Sequence, residues 1–101
     1  MKYITFEQIK DQLRLDDEQA RMEHDLLCGY GDTAEDTVLN ACNRTLEDLI
    51  EVYGHVPAPV RYATLMLVDN MYKERSPVSP QNMSAVPYTF DLLLKPYILL
   101  T

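Results

Sequence analysis

His24 and Cys28 are the pair of side chains whose spacing could bind a metal. They stand four residues apart, so on a helix they share one face, and imidazole and thiolate are both zinc ligands. No further His or Cys lies at a matching distance, and His55 sits beside a proline turn. The pattern therefore favours a surface histidine and a core cysteine over a metal site.

The acidic runs are the second candidates for chemistry. Asp16-Asp17-Glu18 and Glu35-Asp36 could hold a cation or act as a general acid and base. Helix capping and solvation explain them more simply, because carboxylates suit the positive end of the helix dipole. The chain carries no P-loop, dinucleotide fingerprint or nucleophile elbow, and Gly29-Tyr30-Gly31 is too short to cradle a phosphate. The sequence predicts neither an enzyme nor a cofactor.

Length and charge narrow the class of protein. The 101 residues are expected to form one domain, residues 1–101, and 47% of them are hydrophobic. A domain of this size buries only about two thirds of its unfolded surface, so part of the apolar surface should contact another subunit. Residues 1–52 carry five Lys or Arg against thirteen Asp or Glu, whereas residues 53–101 carry four against three. An acidic body disfavours nonspecific DNA binding, because it repels phosphate.

The two cysteines do not make a disulfide framework. If Cys28 and Cys42 lie on one continuous helix, the rise of ~1.5 Å per residue separates them by roughly 21 Å, whereas a disulfide needs Cα atoms within about 7 Å. Reduced thiols fit a cytosolic setting. No apolar run approaches the ~18 residues of a membrane span, and no signal-peptide pattern opens the chain. A soluble protein is expected.

Helical periodicity runs through every substantial segment, which predicts an all-α bundle of about four to five helices. Thr5, Gln8 and the Ile4–Ile9 pair predict a capped first helix that ends near Gln12-Leu13-Arg14. A long second helix should begin at Asp16 or Asp17 and reach Cys42, with a break at Gly29 and Gly31 as the alternative.

The second half of the chain predicts three further elements. Thr45 should cap a short helix, Leu46 to Tyr53, that Gly54 ends. The next helix, about Ala58 to Arg75, is apolar on most sides and should be central and buried. A Pro/Ser loop at 76–85 and a last short helix, near Tyr88 to Leu94 and closed by Pro96, should follow. The aromatic residues expected in the core are Tyr62, Tyr72, Tyr88 and Phe90.

The chain ends in an apolar tail, Tyr97-Ile98-Leu99-Leu100. This tail could fold back onto the core, or it could contact a subunit or partner, because Pro96 redirects the chain after the last helix. Near the other end, Leu13 should anchor the first helix. Arg14 could pair locally with Asp16 and Asp17, or it could reach a neighbouring subunit.

Taken in order, these features resemble the phage head–tail connector family, including its DNA-packaging members named for a Gln-Leu-Arg-Gly string. The resemblance covers essentially the whole chain, although position 15 has Leu where the string has Gly and the Gly29/Gly31 pair is atypical. The matching residues are Ile4-Thr5, Ile9-Lys10, Gln12-Leu13-Arg14, Leu26-Leu27, Asn43-Arg44-Thr45-Leu46, Val56-Pro57-Ala58-Pro59-Val60, Val86-Pro87-Tyr88, Leu92-Leu93 and Pro96-Tyr97.

The resemblance implies a structural virion protein that forms a homo-oligomeric ring, usually of about twelve subunits, beneath the portal protein. Such a ring extends the DNA channel, lets DNA pass without sequence-specific binding, and docks stopper or tail-completion proteins. The expected location is the head–tail interface of the virion, with the host cytoplasm during assembly. No cofactor and no membrane contact are expected.

Two sets of residues are candidates for these roles. Glu35 and Asp36 could face the channel, where an acid-rich surface would keep DNA from adhering. The residues that could contact a subunit or the portal are Arg14, Val78, Met83, Tyr97, Ile98, Leu99 and Leu100.

Other classes of protein remain open. A small helical regulator or DNA-binding protein would need a basic recognition helix, which the sequence lacks. A helical interaction module without catalytic activity, from a toxin–antitoxin or secretion system, is the remaining alternative.

Overall fold

The computed structural model describes residues 1–73 and 92–99, and within them it is helical without strands, as predicted. Residues 92–94 are helical and lead into a 3-10 turn, Lys95–Tyr97. The predicted loop at 76–85, Tyr88 and Phe90 lie outside the described residues. The α-helices are α1 (Phe6–Leu13), α2 (Asp17–Met22), α3 (His24–Cys42), α4 (Leu46–Tyr53) and α5 (Ala58–Lys73).

The first helix begins as the sequence predicts. The Thr5 side chain accepts a hydrogen bond from the Gln8 amide, and the Gln8 side chain accepts one from the Thr5 amide, which completes a capping box. Ile4 and Ile9, on either side of this cap, are both buried in the same apolar cluster. The predicted cap and hydrophobic staple are therefore confirmed.

The end of α1 shows what replaces the glycine of the family string. Arg14 adopts a left-handed conformation, with φ of 58°, and its amide donates to the Asp11 carbonyl. The Leu15 amide donates to the Lys10 carbonyl, so the two bonds form a Schellman motif. The residue that ends this helix is Arg14, and Leu15 needs no special backbone conformation.

The predicted long second helix is wrong at its start. A break at Glu23 separates the short α2 from α3, whereas α3 runs unbroken through Gly29 and Gly31. The Glu23 carboxylate accepts a 2.5 Å hydrogen bond from the hydroxyl of Tyr72, on α5. This long-range bond ties the break to the distant α5 helix.

The fourth helix and its boundaries follow the prediction. Thr45 and Asp48 form a second capping box. Gly54 ends the helix with φ of 80°, and its amide donates to the Ile50 carbonyl. A positive φ of this kind is inexpensive only for glycine.

Helix α5 is the central element, because it packs along α3 and also against α1. The predicted burial is confirmed for one side of it, but Tyr62 is half exposed and does not belong to the core. Two apolar clusters flank the α3–α5 contact. The first cluster lies beside residues 1–4, an N-terminal arm described below, and we call it the arm-side core. It contains Ile4, Ile9, Leu27, Ala34, Leu65 and Val68. The second cluster includes Leu94 from the C-terminal segment 92–99, and we call it the tail-side core. It contains Val38, Leu39, Cys42, Leu49, Val60, Ala63 and Leu94.

Cys28 and Cys42 are both free, and both lie on the continuous helix α3. The sequence excludes a disulfide between them if they lie on one continuous helix, and that exclusion therefore applies. The sequence predicted Cys28 to be a core cysteine, but Cys28 is only half buried and Cys42 is the buried thiol. None of the helices in the described ranges 1–73 and 92–99 has the length and apolarity needed to cross a membrane.

Candidate assembly surfaces

Glu35 holds the first residues of the chain in place. Its side chain is 1% exposed, and its carboxylate accepts hydrogen bonds from three successive backbone amides. The Lys2 amide donates to Oε1 and Oε2 at 2.7 and 2.9 Å, the Tyr3 amide to Oε2 at 2.8 Å, and the Ile4 amide to Oε2 at 3.0 Å. A buried carboxylate is costly unless its oxygens are bonded, and these donors satisfy it. We call residues 1–4 the N-terminal arm.

Side chains of the arm also dock between α3 and α5. The Tyr3 hydroxyl lies 2.6 Å from Thr64 Oγ1, and Thr64 in turn donates to the Val60 carbonyl. Burial raises the pKa of the Tyr3 hydroxyl, so it stays protonated. The Met1 side chain lies where a side chain on Gly31 would have to be. A Cβ at Gly31 would overlap the Met1 sulfur, so the flexible Met1 side chain would have to move to admit one.

The arm changes the expectation for the acidic residues on α3. Glu35 faces the interior, so in the described chain its carboxylate is not available to a channel. Asp36 is exposed, and the Lys2 ammonium lies 3.9 Å from it. The Met1 amino group lies 3.1 Å from Asp32, which raises the pKa of that amine. Part of the acidic surface of α3 thus receives the positive charges of the arm.

A signal for the burial of Glu35 was present in the sequence. Gly31, Glu35, Val38 and Cys42 recur at spacings of four, three and four, and all four are buried on one face of α3. The amides that satisfy Glu35 left no signal, since any residue supplies a backbone N–H.

Residues 92–99 dock where α3 ends. From here on we call this described segment the C-terminal tail; it includes Tyr97, Ile98 and Leu99 of the predicted apolar tail. The Leu99 amide donates to the Cys42 carbonyl at 2.8 Å, and Asn43 Nδ2 donates to the Leu99 carbonyl at 3.2 Å. Arg44 Nε donates to the Tyr97 carbonyl at 2.6 Å. Carbonyls in the last turn of a helix lack helical partners, so the bond to Cys42 satisfies a group that needs one. We call Cys42, Asn43, Arg44 and Tyr53 the tail receptor.

Apolar contacts complete this docking. Leu94 is 2% exposed and belongs to the tail-side core, whereas Tyr97, Ile98 and Leu99 are half buried. The Tyr97 and Tyr53 rings meet edge to face, with centroids 5.4 Å apart. The Arg44 guanidinium lies 5.8 Å from the Tyr53 ring centroid. Within one chain, residues 92–99 therefore fold back onto the core, the first of the two alternatives for the tail.

The other residues predicted for contact are placed as follows. Arg14 is exposed, and the ion pair with Asp17 comes from Lys10. Val78, Met83 and Leu100 lie outside the described residues. Sequence reasoning missed the docking role of Asn43 and Arg44, although both belong to the string Asn43-Arg44-Thr45-Leu46 that carries the family resemblance.

An open groove lies between the arm and the tail receptor. Its lining includes two cations, Lys2 and Arg44, and two anions, Asp36 and Glu47. The charges balance, so the groove favours neither a phosphate nor a metal ion. Large apolar side chains are exposed elsewhere on the surface, among them Met22 at 76%, Val52 at 60%, Tyr62 at 50% and Ile50 at 48%.

Among the described residues, no third ligand joins the His24–Cys28 pair to make a metal site. Cys28 Sγ lies 3.8 Å from His24 Nε2, and the His24 ring packs at 4.6 Å from the ring of Phe6. No group of three or more His, Cys, Asp or Glu side chains is placed to hold a metal ion within residues 1–73 and 92–99. Burial raises the pKa of the Cys28 thiol, which lowers its reactivity as a nucleophile.

Comparison with known proteins identifies the class. A model of the phage gp6-like head–tail connector protein family matches residues 3–97. The chain belongs to this family, whose members are structural proteins of the phage virion at the head–tail junction. No curated protein and no solved structure matches the chain.

Proposed function

We propose that this protein is a single-domain head–tail connector that assembles as a ring under the portal protein. The observation that carries the proposal is the family match over residues 3–97, which includes part of each anchored end. The ring extends the DNA channel, and its far side docks stopper or tail-completion proteins. Assembly takes place in the host cytoplasm before the ring joins the virion.

Exposed apolar side chains support a self-assembling surface. Met22, Ile50, Val52 and Tyr62 are 48–76% exposed in the single chain, and burying the remaining surface of each side chain contributes about 1–2 kcal/mol. Ring contacts are heterologous, so different faces of the chain meet. Arg14, exposed at the end of α1, is a further candidate for such a contact.

The charge of the protein supports a channel that DNA passes without adhering. The chain carries a net charge of −7, and an acidic wall repels the DNA backbone. Asp36 is the candidate for this wall, because it is exposed where Glu35 is buried. Replacing Asp36 with Asn should change DNA retention or ejection in assembled particles. Unchanged retention and ejection would remove Asp36 from the channel.

Apolar residues of the tail are the candidates for portal contact. Ile98 and Leu99 keep part of their surface exposed when the tail is docked. Leu100, Val78 and Met83 remain candidates from the sequence alone.

Native mass spectrometry with negative-stain imaging, with and without the cognate portal, tests the ring. We expect closed rings of about twelve subunits, or open helical filaments where the rotation does not close. The variants Tyr62→Lys and Ile50→Lys should weaken assembly if these side chains lie in subunit contacts. Thr33→Lys, an exposed and uncharged position on α3, is the matched control. A strict monomer that ignores the portal would overturn the proposal.

A further inference from the structure

We propose that in the assembled ring the C-terminal tail is exchanged: the tail of each subunit occupies the tail receptor of its neighbour. The partner of this site is a second copy of the chain. The inference rests on the proposed ring and adds to it the contact that links one subunit to the next.

The contacts of the tail can all be made between two chains. The three hydrogen bonds join Tyr97 and Leu99 to Cys42, Asn43 and Arg44, and the aromatic contact joins Tyr97 to Tyr53. None of them depends on covalent continuity between tail and receptor. An exchanged tail therefore makes the same bonds as a docked one, which is why exchange of an identical element costs little free energy.

The chain between the core and the tail is long enough to reach a neighbour. Eighteen residues, 74–91, connect Lys73 at the end of α5 with Leu92 at the start of the tail. A segment of that length spans at most about 60 Å. The longest dimension of the molecule is 40 Å. The fully extended limit of this segment therefore exceeds the longest dimension of one subunit.

The geometry of exchange suits a ring. Each chain has one tail and one receptor, so it donates to one neighbour and accepts from the other. That directional contact is heterologous and needs no twofold axis. In the ring the neighbour's receptor is held at a high effective concentration, so exchange strengthens the assembly without any new type of contact. The arm has no such freedom, because only Thr5 separates it from α1.

Photo-cross-linking in isotopically mixed rings tests the proposal. The full chain is prepared with p-benzoylphenylalanine in place of Tyr97, once unlabelled and once with nitrogen-15, and equal amounts are mixed as monomers before ring assembly. After irradiation, mass spectrometry identifies the peptide linked to position 97 and the isotope of each partner. The same residue at Ile98 provides a second probe if the first disturbs docking. A probe at Thr33, an exposed position on α3, is the matched control.

Exchange predicts links from position 97 to the peptide that contains Tyr53, with about half of the linked pairs isotopically mixed in the ring. The isolated monomer should give same-isotope pairs alone. In mixed rings, Arg44→Ala should reduce the yield of these links several-fold, because it removes a hydrogen bond that holds the tail. The Thr33 probe should not link to the receptor peptide.

Three results would overturn the inference in distinguishable ways. Intact rings with same-isotope pairs alone would show that each tail stays on its own chain, and the connector function would stand. Intact rings with links from position 97 to another surface would place the tail elsewhere. Failure to form any ring under conditions that include the portal would overturn the proposed function, and the exchange with it.

Discussion

The two ends of the chain complete the two apolar cores, but they do so by different chemistry. The arm contributes Ile4 to the arm-side core and places three amides on the buried carboxylate of Glu35. The tail contributes Leu94 to the tail-side core, and its hydrogen bonds go to the Cys42 carbonyl and to the side chains of Asn43 and Arg44. The arm satisfies a charge that cannot be left buried alone, whereas the tail receptor can be rehydrated when the tail leaves. This difference makes the arm a fixed part of the fold and the tail an exchangeable one.

The largest expected effect is that of Glu35→Ala. It leaves the amides of Lys2, Tyr3 and Ile4 without their acceptor, and each buried donor left unpaired costs about 1–3 kcal/mol. Because the arm can move into water, we expect a total loss of about 3 kcal/mol in the free energy of unfolding. Urea unfolding followed by circular dichroism measures it. Asp36→Ala, at the exposed neighbouring position, should change the stability by less than about 0.5 kcal/mol. Equal losses in both variants would contradict the structural role of Glu35.

The second-largest expected effect is a difference in amide hydrogen exchange between the arm and the tail. The Ile4 amide, bonded to Glu35, should exchange only when the whole chain unfolds, whereas the Leu99 amide should exchange by local undocking of the tail. We expect opening free energies that differ by about 2 kcal/mol, or roughly thirtyfold in rate. Amide exchange of the monomer, followed by nuclear magnetic resonance, provides both rates. Similar protection at the two amides would remove the contrast between the ends.

Tyr97→Ala should have a smaller effect, a loss of about 1.5 kcal/mol, since the ring is half buried and meets Tyr53 edge to face. Arg44→Ala removes the bond to the Tyr97 carbonyl of the same docked unit. The double variant should therefore lose less than the sum of the single losses, by about 0.5 kcal/mol or more. Thermal unfolding of the three variants tests this. Strict additivity would show that Arg44 and Tyr97 do not act as one unit.

The smallest expected effect compares the C-terminal ends of α1 and α3. Arg14 and Asn43 both adopt left-handed conformations, with φ of 58° and 55°. Arg14→Gly should stabilise the chain by about 0.5–1 kcal/mol, because glycine adopts this conformation without steric cost. Asn43→Gly should gain less or lose stability, because Asn tolerates the conformation and its side chain also holds the Leu99 carbonyl. An equal gain at both positions would argue against a role for Asn43 in tail docking.

Local signals predicted the helix ends well, and long-range contacts explain most of the errors. Thr5 and Thr45 cap their helices and Gly54 ends α4, because capping depends on residues three or four positions apart. The break fell at Glu23 rather than at the glycines, and there a bond from Tyr72 joins it to α5. The sequence predicts an exposed Glu35, because nothing local shows that its carboxylate will accept bonds from the amides of residues 2–4. The half-exposed Tyr62 likewise shows that an aromatic residue in an apolar helix need not point inward.

The reactivity of the buried Cys42 thiol reports on undocking of the tail. Cys42 lies in the same cluster as Leu94 and Tyr97, and burial raises the pKa of its thiol. A thiol-specific reagent at mildly alkaline pH should therefore react first with the half-buried Cys28 and much later with Cys42. The rate of the slow phase, in which Cys42 reacts, then measures the frequency with which the tail undocks. Because the reporter is native, the same measurement can follow the protein from free chain to assembled ring without a label.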